Sequence, residues 1–153
     1  MNFYLRQTLP SDCAFIADLA IAEGWPGRTK QEAMSEAVLA EIISMPEHFS
    51  YTLCQENEQL VGFGQIWLDA VGRVNLVRIL VAPTMRGRGV GKILCRLLLE
   101  QAKRIAQNSA QSSAPRLRVR RDNHAAIAVY QALGFHVVDE DSNQTTLAMI
   151  ATY

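Results

Sequence analysis

The stretch from 73 to 107, RVNLVRILVAPTMRGRGVGKILCRLLLEQAKRIAQ, constrains the fold more than any other part of the chain. A run of aliphatic and β-branched residues reads as a strand. It passes through Gly87, Gly89 and Gly91 into a segment where Ile93, Leu94, Leu97, Leu98, Ala102 and Ile105 recur at helical spacing. Glycines allow a tight turn and a close approach of backbone to a ligand. A helix start presents free N–H groups and partial positive charge, which suits phosphate. The chain is thus committed to a strand, a glycine turn and a long helix with one apolar face.

The remaining segments fall around this unit. Residues 2–7, NFYLRQ, predict a strand, and residues 11–24 a helix capped by Ser11 or Asp12. Residues 29–45 predict a second helix, with Thr29 and Glu32 in capping-box spacing and Pro46 beyond its end. SYTLCQ, QLVGFGQIWLD and the RVNLVRILVAP run read as three strands joined by turns, hence antiparallel hairpins. After the long helix, residues 107–115 form a low-complexity loop. RLRVR is a strand, and residues 123–135 a helix with Asn123 as cap and Gly134 at its end. FHVVDE and TTLAMIATY close the chain as a hairpin. The order is β-α-α-β-β-β-α-β-α-β-β. It predicts an α/β (α+β) fold with one mixed, mostly antiparallel sheet flanked by helices, and residues 1–153 read as a single domain.

Composition narrows the function classes. The 153 residues carry a formal net charge of zero, with 49% hydrophobic and 20% charged residues, as in ordinary globular proteins. A nucleic-acid binder usually shows a basic excess, so no nucleic-acid partner is expected. Every apolar stretch is broken by a charge such as Asp18, Arg78 or Arg96, and the first ten residues lack a secretory apolar core. No membrane partner is expected, and the location is read as cytoplasmic. Cys13, Cys54 and Cys95 are widely spaced and odd in number. They read as reduced, packed thiols, with neither a disulfide framework nor a metal site.

The glycine turn fails two common phosphate-loop patterns on specific residues. A Walker loop would need glycine at Arg86 and a hydroxyl at Ile93. The dinucleotide fingerprint would need glycine at Lys92 or, shifted by one repeat, at Leu94. What remains is R-x-x-G-x-G on Arg86, Gly89 and Gly91. This resembles the acyl-CoA pyrophosphate loop, Q/R-x-x-G-x-G/A, of the GNAT superfamily of N-acyltransferases. Some thirty residues on, NHAAIAVYQALGF is similar to that family's N-x-x-A-x-x-x-Y-x-x-x-GF helix, at Asn123, Ala126, Tyr130, Gly134 and Phe135. Seven residues make about two turns, so Asn123, Ala126 and Tyr130 share a face. The resemblance is close over residues 74–135, and elsewhere only element order matches.

The resemblance implies an N-acetyltransferase that moves an acetyl group from acetyl-CoA, as co-substrate, directly to a primary amine on a small molecule or peptide, with no metal. Backbone N–H groups of Arg86, Gly87, Arg88, Gly89, Val90, Gly91 and Lys92 would hold the pyrophosphate. The fourth strand would part from the fifth after Ile79. Ile79, Leu80 and Val81 would then pair with the pantetheine arm, and an N–H near Leu80 or Val81 would stabilise the oxyanion. Asn123 would contact the pantetheine, with Ala126 allowing close approach, and Tyr130 would protonate the departing thiolate. Many relatives carry a Glu where Asn75 stands, and an amide cannot accept a proton. Either a water relay, Asp69 or Glu23 would then serve, or the substrate amine is itself weakly basic, and Asp69 and Glu23 read first as ordinary turn and helix-end charges.

Other features leave alternatives open. Arg116, Arg118 and Arg120 alternate along one strand and so share a face. They meet either an acidic ligand or solvent. Trp25 either lines the acceptor pocket or packs on its own loop. His48, His124 and His136 have no partner spacing and read as structural. The Asn75 substitution keeps a second function in play, a CoA-binding regulator or catalytically degenerate relative. A homodimer is an open expectation, since two-fold pairs are the commonest oligomers.

Overall fold

The computed structural model describes residues 2–108 and 114–152. Its seven strands are β1 (Phe3–Gln7), β2 (His48–Gln55), β3 (Leu60–Leu68), β4 (Val74–Val81), β5 (Arg116–Arg120), β6 (Phe135–Val137) and β7 (Thr146–Ala151). Four helices accompany them: α1 (Cys13–Ala22), α2 (Glu36–Ile43), α3 (Val90–Gln107) and α4 (His124–Ala132). The strands form one open sheet in the order β1-β2-β3-β4-β5-β7-β6. Every neighbouring pair is antiparallel except β4 with β5. The mixed, mostly antiparallel sheet read from the sequence is therefore present. The stretch 107–115 lies partly outside the described residues.

Alternation along β3 assigns the two faces. A Cβ added at Gly64 would meet Leu98 Cδ1 at 2.3 Å, so the bare backbone there lets α3 press against the sheet. The next residue, Gln65, points the other way and donates to the Ile42 carbonyl of α2 at 3.2 Å. The core face of α3 runs through Val90, Leu94, Cys95, Leu98, Leu99, Ala102 and Ala106. It is turned slightly from the predicted stripe: Leu97 and Ile105 pack against the core only partly buried.

Two local expectations are corrected. The second helix does not begin at Thr29. Ser35 accepts from the Val38 N–H at 3.1 Å and starts α2 there. Glu32 instead takes the Arg28 N–H at 2.7 Å and pairs with its guanidinium, closing a turn that Pro26 and Ala33 bridge. Nor does Ser11 or Asp12 cap α1 by its side chain. Asp12 is only 4% exposed. Its carboxylate receives Arg6 in a fork at 2.7 and 2.9 Å, the Leu9 N–H at 2.8 Å and the Thr52 hydroxyl at 3.1 Å. It ties β1, β2 and the entry to α1 together.

The feature that shapes the site is a break in β4. Phe63 faces Leu80 and Gln65 faces Val77, so Gly64 opposes both Arg78 and Ile79. This is a β-bulge, and Arg78 takes a left-handed φ of 51° within it. On the other edge, β4 pairs with β5 only at Asn75↔Arg116 and Leu76↔Leu117. The strands thus part after Leu76, three residues before the predicted Ile79 and one residue ahead of the bulge.

Asp12 generates a stability prediction. Burial pushes its carboxyl pKa up, but the Arg6 guanidinium, the Leu9 N–H and the Thr52 hydroxyl outweigh burial and hold it below the ordinary carboxylate value. A depressed pKa means the unfolded state binds more protons, so the stabilisation is complete above the unfolded value of about 3.9 and is lost as pH falls through the folded pKa. Asp12→Asn should cost about 1–3 kcal/mol at pH 7. It should also flatten the stability curve below roughly pH 4, both measured by urea unfolding. An unchanged acid limb would remove Asp12 from this role.

Candidate active site

The parted strands, the glycine turn and α4 enclose a cleft of about 630 Å³. Its floor is β4 from Ile79 to Val81, one wall is the turn and start of α3, and the other is α4. Gly87 and Gly89 both adopt left-handed φ, 74° and 76°, which a side chain would strain. Gly89 is the N-cap of α3 and no side chain caps it. The first intrahelical bond is Ile93 N–H to the Gly89 carbonyl at 3.2 Å. The N–H groups of Val90, Gly91 and Lys92 therefore lack intrahelical acceptors. A Cβ at Gly87 or Gly89 would meet nothing within 4 Å, so this turn is open to a ligand. These features fit a diphosphate group.

From α4 come Asn123, Ala126 and Tyr130, on one face as their spacing requires. The Asn123 side chain accepts from the Ala126 N–H at 3.2 Å and caps the helix. Its amide N–H₂ remains for a ligand. Tyr130 is 9% exposed and packs edge-on against Phe135, centroids 5.9 Å apart. Burial, then the neighbouring Cys95, raises its phenol pKa above the ordinary tyrosine value. The hydroxyl stays protonated at physiological pH and can donate.

Of the residues singled out from sequence, Ile79, Leu80, Val81, Arg86, Gly87, Gly89, Val90, Gly91, Asn123, Ala126 and Tyr130 all line this cleft. Arg88 and Lys92 do not. They lie exposed beside the turn. Asn75 is elsewhere, in a separate groove with Trp67, Asp69, Arg73, Arg116 and Arg118. Its amide donates to Asp69 at 3.1 Å and to the Trp67 carbonyl at 3.2 Å. Burial raises the Asp69 carboxyl pKa, but hydrogen bonds from the Arg73 backbone, Asn75, the Arg73 side chain and the Val71 N–H leave it below the usual value. Neither group reaches Tyr130 through the cleft.

Three residues enter the site that the sequence reading set aside or left open. Glu23, at the end of α1, lines the cleft and is ion-paired with Arg86. Trp25 follows it on the same wall, half-buried. Cys95 is a buried thiol, as expected, yet it also lines the cleft and hydrogen-bonds the Tyr130 hydroxyl. Burial pushes its pKa up to about 12. Cys95 stands four residues after Gly91, so helical geometry alone put it on the cleft side of α3.

The cleft continues through the split as a narrower groove of about 200 Å³, where Arg78, Arg118 and Arg120 join Trp25, Asn123 and Tyr130. Arg116 and Arg118 are fastened to the segment before β7: Arg116 to the Asp141 carboxylate at 2.9 Å, Arg118 to the Asp141 carbonyl at 2.6 Å and the Thr146 hydroxyl at 3.0 Å. Arg120 pairs with Asp122. His48 stacks on Trp67 and His136 sits beside Thr152. Among the described residues no group of three or more His, Cys, Asp or Glu could hold a metal ion. No described helix is long and apolar enough to cross a membrane.

Comparison with known proteins gives this geometry a context. The family model for acetyltransferases (GNAT) matches residues 20–135. No curated protein matches the chain significantly in sequence. Solved structures of similar fold include a chimaeric spermidine N-acetyltransferase, SpeG, from Vibrio cholerae and hSSAT. It is 18% identical, with a TM-score of 0.77 over 99% of this chain and 95% of that one. The paia N-acetyltransferase from Thermoplasma acidophilum in complex with coenzyme A is 20% identical, with a TM-score of 0.72 over all of both chains. The ribosomal-protein-S18-alanine N-acetyltransferase from Escherichia coli is 20% identical, with a TM-score of 0.68 over 99% of this chain and 96% of that one.

The turn yields a direct test. Gly89→Asp places a side chain at a left-handed position and a negative charge at the start of α3. It should weaken coenzyme A binding by on the order of 100-fold or more, read by titration calorimetry. Equal affinity in the variant would remove the turn from the binding site.

Proposed function

Because the chain belongs to the acetyltransferase (GNAT) family, matched over residues 20–135, we propose that it transfers an acetyl group from acetyl-CoA directly to a primary amine. The observation that carries this reading is the meeting, in one cleft, of the uncapped glycine turn, the open edge of β4 and the buried Tyr130 hydroxyl. The acceptor is a small molecule or peptide in the cytoplasm. No nucleic acid, membrane or metal takes part. The whole chain, residues 1–153, serves as one domain, and a homodimer is the assembly to test first.

The roles follow from position. The Arg86 N–H is taken by the Pro83 carbonyl at 3.3 Å, so the N–H groups from Gly87 to Lys92 bind the diphosphate, with Val90, Gly91 and Lys92 supplying the helix-start donors. Arg88 and Lys92 add positive charge from outside the cleft, and Glu23 holds Arg86 in place. The backbone of Ile79, Leu80 and Val81 pairs with the pantetheine arm as a neighbouring strand would. An N–H at Leu80 or Val81 stabilises the oxyanion as the amine nitrogen bonds to the thioester carbon. Asn123 steadies the arm, and Ala126 leaves room for it. As the carbon–sulfur bond breaks, Tyr130 donates its proton to the thiolate. No covalent enzyme intermediate is needed.

The proton on the amine leaves by another route. Asn75 cannot accept it, and both Asn75 and the depressed Asp69 lie outside the cleft. Glu23 is engaged with Arg86. Water leading to solvent is the acceptor, and Asn75 at most orients one such water. A CoA-binding regulator remains the second reading, because no free carboxylate lines the cleft. Turnover of acetyl-CoA with any amine separates the two.

Tyr130→Phe keeps the ring and removes the proton. It should lower kcat roughly 100-fold with little change in coenzyme A affinity. Unchanged turnover, with chemistry limiting, would return Tyr130 to a packing role. The pH profile tests the water route. Log kcat/KM should climb toward the amine's own pKa, about 10.4 for a lysine-like amine, without an earlier plateau. Asn75→Ala should change kcat/KM by less than about tenfold. An inflection well below the amine pKa, lost in Glu23→Gln or Asp69→Asn, would assign the base to that carboxylate.

A further inference from the structure

The α2 side of the split holds a cation with no counter-charge among the described residues. Arg78 sits in the β4 bulge at a left-handed φ of 51°. Its guanidinium turns to the α2 face, where Nη1 donates to Gln65 Oε1 at 3.0 Å. Gln65 is itself fully buried, and its amide donates to the Ile42 carbonyl and the Ser50 hydroxyl. Nothing else in the described residues bonds to Arg78, and no described carboxylate pairs with it. The acids around this side are already taken: Glu23 by Arg86, Glu32 and Glu41 by Arg28, Asp69 by Arg73.

Arg78 is half-buried, and that burial lowers its pKa from the ordinary value. A guanidinium stays charged in proteins, so a partly dry, unpaired one is a standing electrostatic cost. It faces two spaces: the groove through the split, shared with Tyr130 and Trp25, and a pocket against Pro26, Gly27, Met34 and Ile42. No carboxylate lines either space. Arg118, on the far side of the groove, is held by a carbonyl and a hydroxyl and likewise has no carboxylate. The space next to the transfer cleft is therefore basic. A polycationic amine would enter against that charge, and an amine carrying a carboxylate would neutralise it.

We propose that Arg78 is a specificity-determining residue and that the acceptor is a carboxylate-bearing primary amine, of the amino-acid class, whose carboxylate its guanidinium binds while the amine faces the thioester. This rests on the acetyltransfer reading above. Phosphate-bearing amines share the anionic chemistry and form a separate arm of the test.

The experiment compares matched pairs that differ only in the carboxylate: lysine with 1,5-diaminopentane, phenylalanine with 2-phenylethylamine, and the other amino acids with their decarboxylated forms. Coenzyme A release gives kcat/KM for the native protein, Arg78→Gln and Arg78→Lys. The native protein should favour the acid in at least one pair, by tenfold or more. Arg78→Gln should erase that preference, through a loss of on the order of tenfold or more for the acid, mainly in KM. Turnover of the decarboxylated partner should not fall, and for the dication 1,5-diaminopentane it should rise as the repulsion is removed, which also shows that the variant folds. Arg78→Lys should recover part of the preference. Equal use of both members of every pair, or an equal loss for both in Arg78→Gln, overturns the proposal, as does a preference confined to phosphate-bearing amines such as phosphoethanolamine. If coenzyme A binds but no amine is acetylated, the acetyltransfer reading fails by itself. Calorimetry of the amino acids on the CoA-loaded protein then decides the site: binding lost in Arg78→Gln supports it, and no binding by the native protein overturns it.

Discussion

Backbone N–H and C=O groups away from water must find partners, and in this fold the C-terminal half of β4 has partners on one side only. Its β3 edge is paired along its length except where the bulge intervenes. Its β5 edge is paired at two residues and then abandoned. That one mismatch sets the rest of the site. β4 parts from β5 after Leu76, the bulge at Arg78 and Ile79 follows at once, and the split leaves main-chain groups facing a cleft that α3 and α4 wall in. A peptide-like arm laid along residues 79–81 meets a ready-made strand edge rather than a set of side chains.

The walls depend on packing elsewhere. Gly64 removes a side chain where Leu98 must fit, which lets α3 lie close on β3 and carries its uncapped start to the mouth of the cleft. On the opposite wall Phe135, directly after α4 and Gly134, fixes the Tyr130 ring edge-on. The Tyr130 hydroxyl then finds its protein partner in Cys95 on α3. The thiol and the phenol are both buried, and burial favours the neutral form of each. The centre of the site is consequently uncharged, while its entrances hold arginines.

Much of the fold was legible because strong periodicities and turn residues coincided. The hairpins β2–β3–β4, the glycine turn, α3 and the Asn123 cap of α4 stand where the sequence put them. Failures came where one local signal competed with another. Thr29 and Glu32 have capping-box spacing, yet Ser35 captured the helix start and Glu32 was drawn to Arg28. Asp12 looked like a cap and became a buried counter-ion for Arg6, a contact across the β1–α1 connection that no spacing rule encodes. Most of the cleft lining was legible for the same reason, since eleven of its residues lie on the turn, the strand or one helix face. Arg88 and Lys92 stayed just outside the cleft, and Asn75 fell in a different groove. Strand alternation placed Asn75 on a face but could not foresee that its amide would be held by Asp69 and the Trp67 carbonyl, in the groove on the paired side of the β4–β5 boundary.

The two-residue seam between β4 and β5 has a mechanical meaning. One side of it carries β1 to β4, and the other carries β5, β7 and β6. Across it the strands are paired at Asn75↔Arg116 and Leu76↔Leu117, and the common core and contacts between α3 and α4 brace the two sides further. Such a seam acts as a hinge whose jaws are the free edges of β4 and β5. Small rotations about it change the width of the split while leaving every other strand pair intact. A molecule that hydrogen-bonded to both jaws would supply the missing rungs, so occupancy and rigidity would become one property. The width of the split would then be set by what lies in it rather than by the strands themselves.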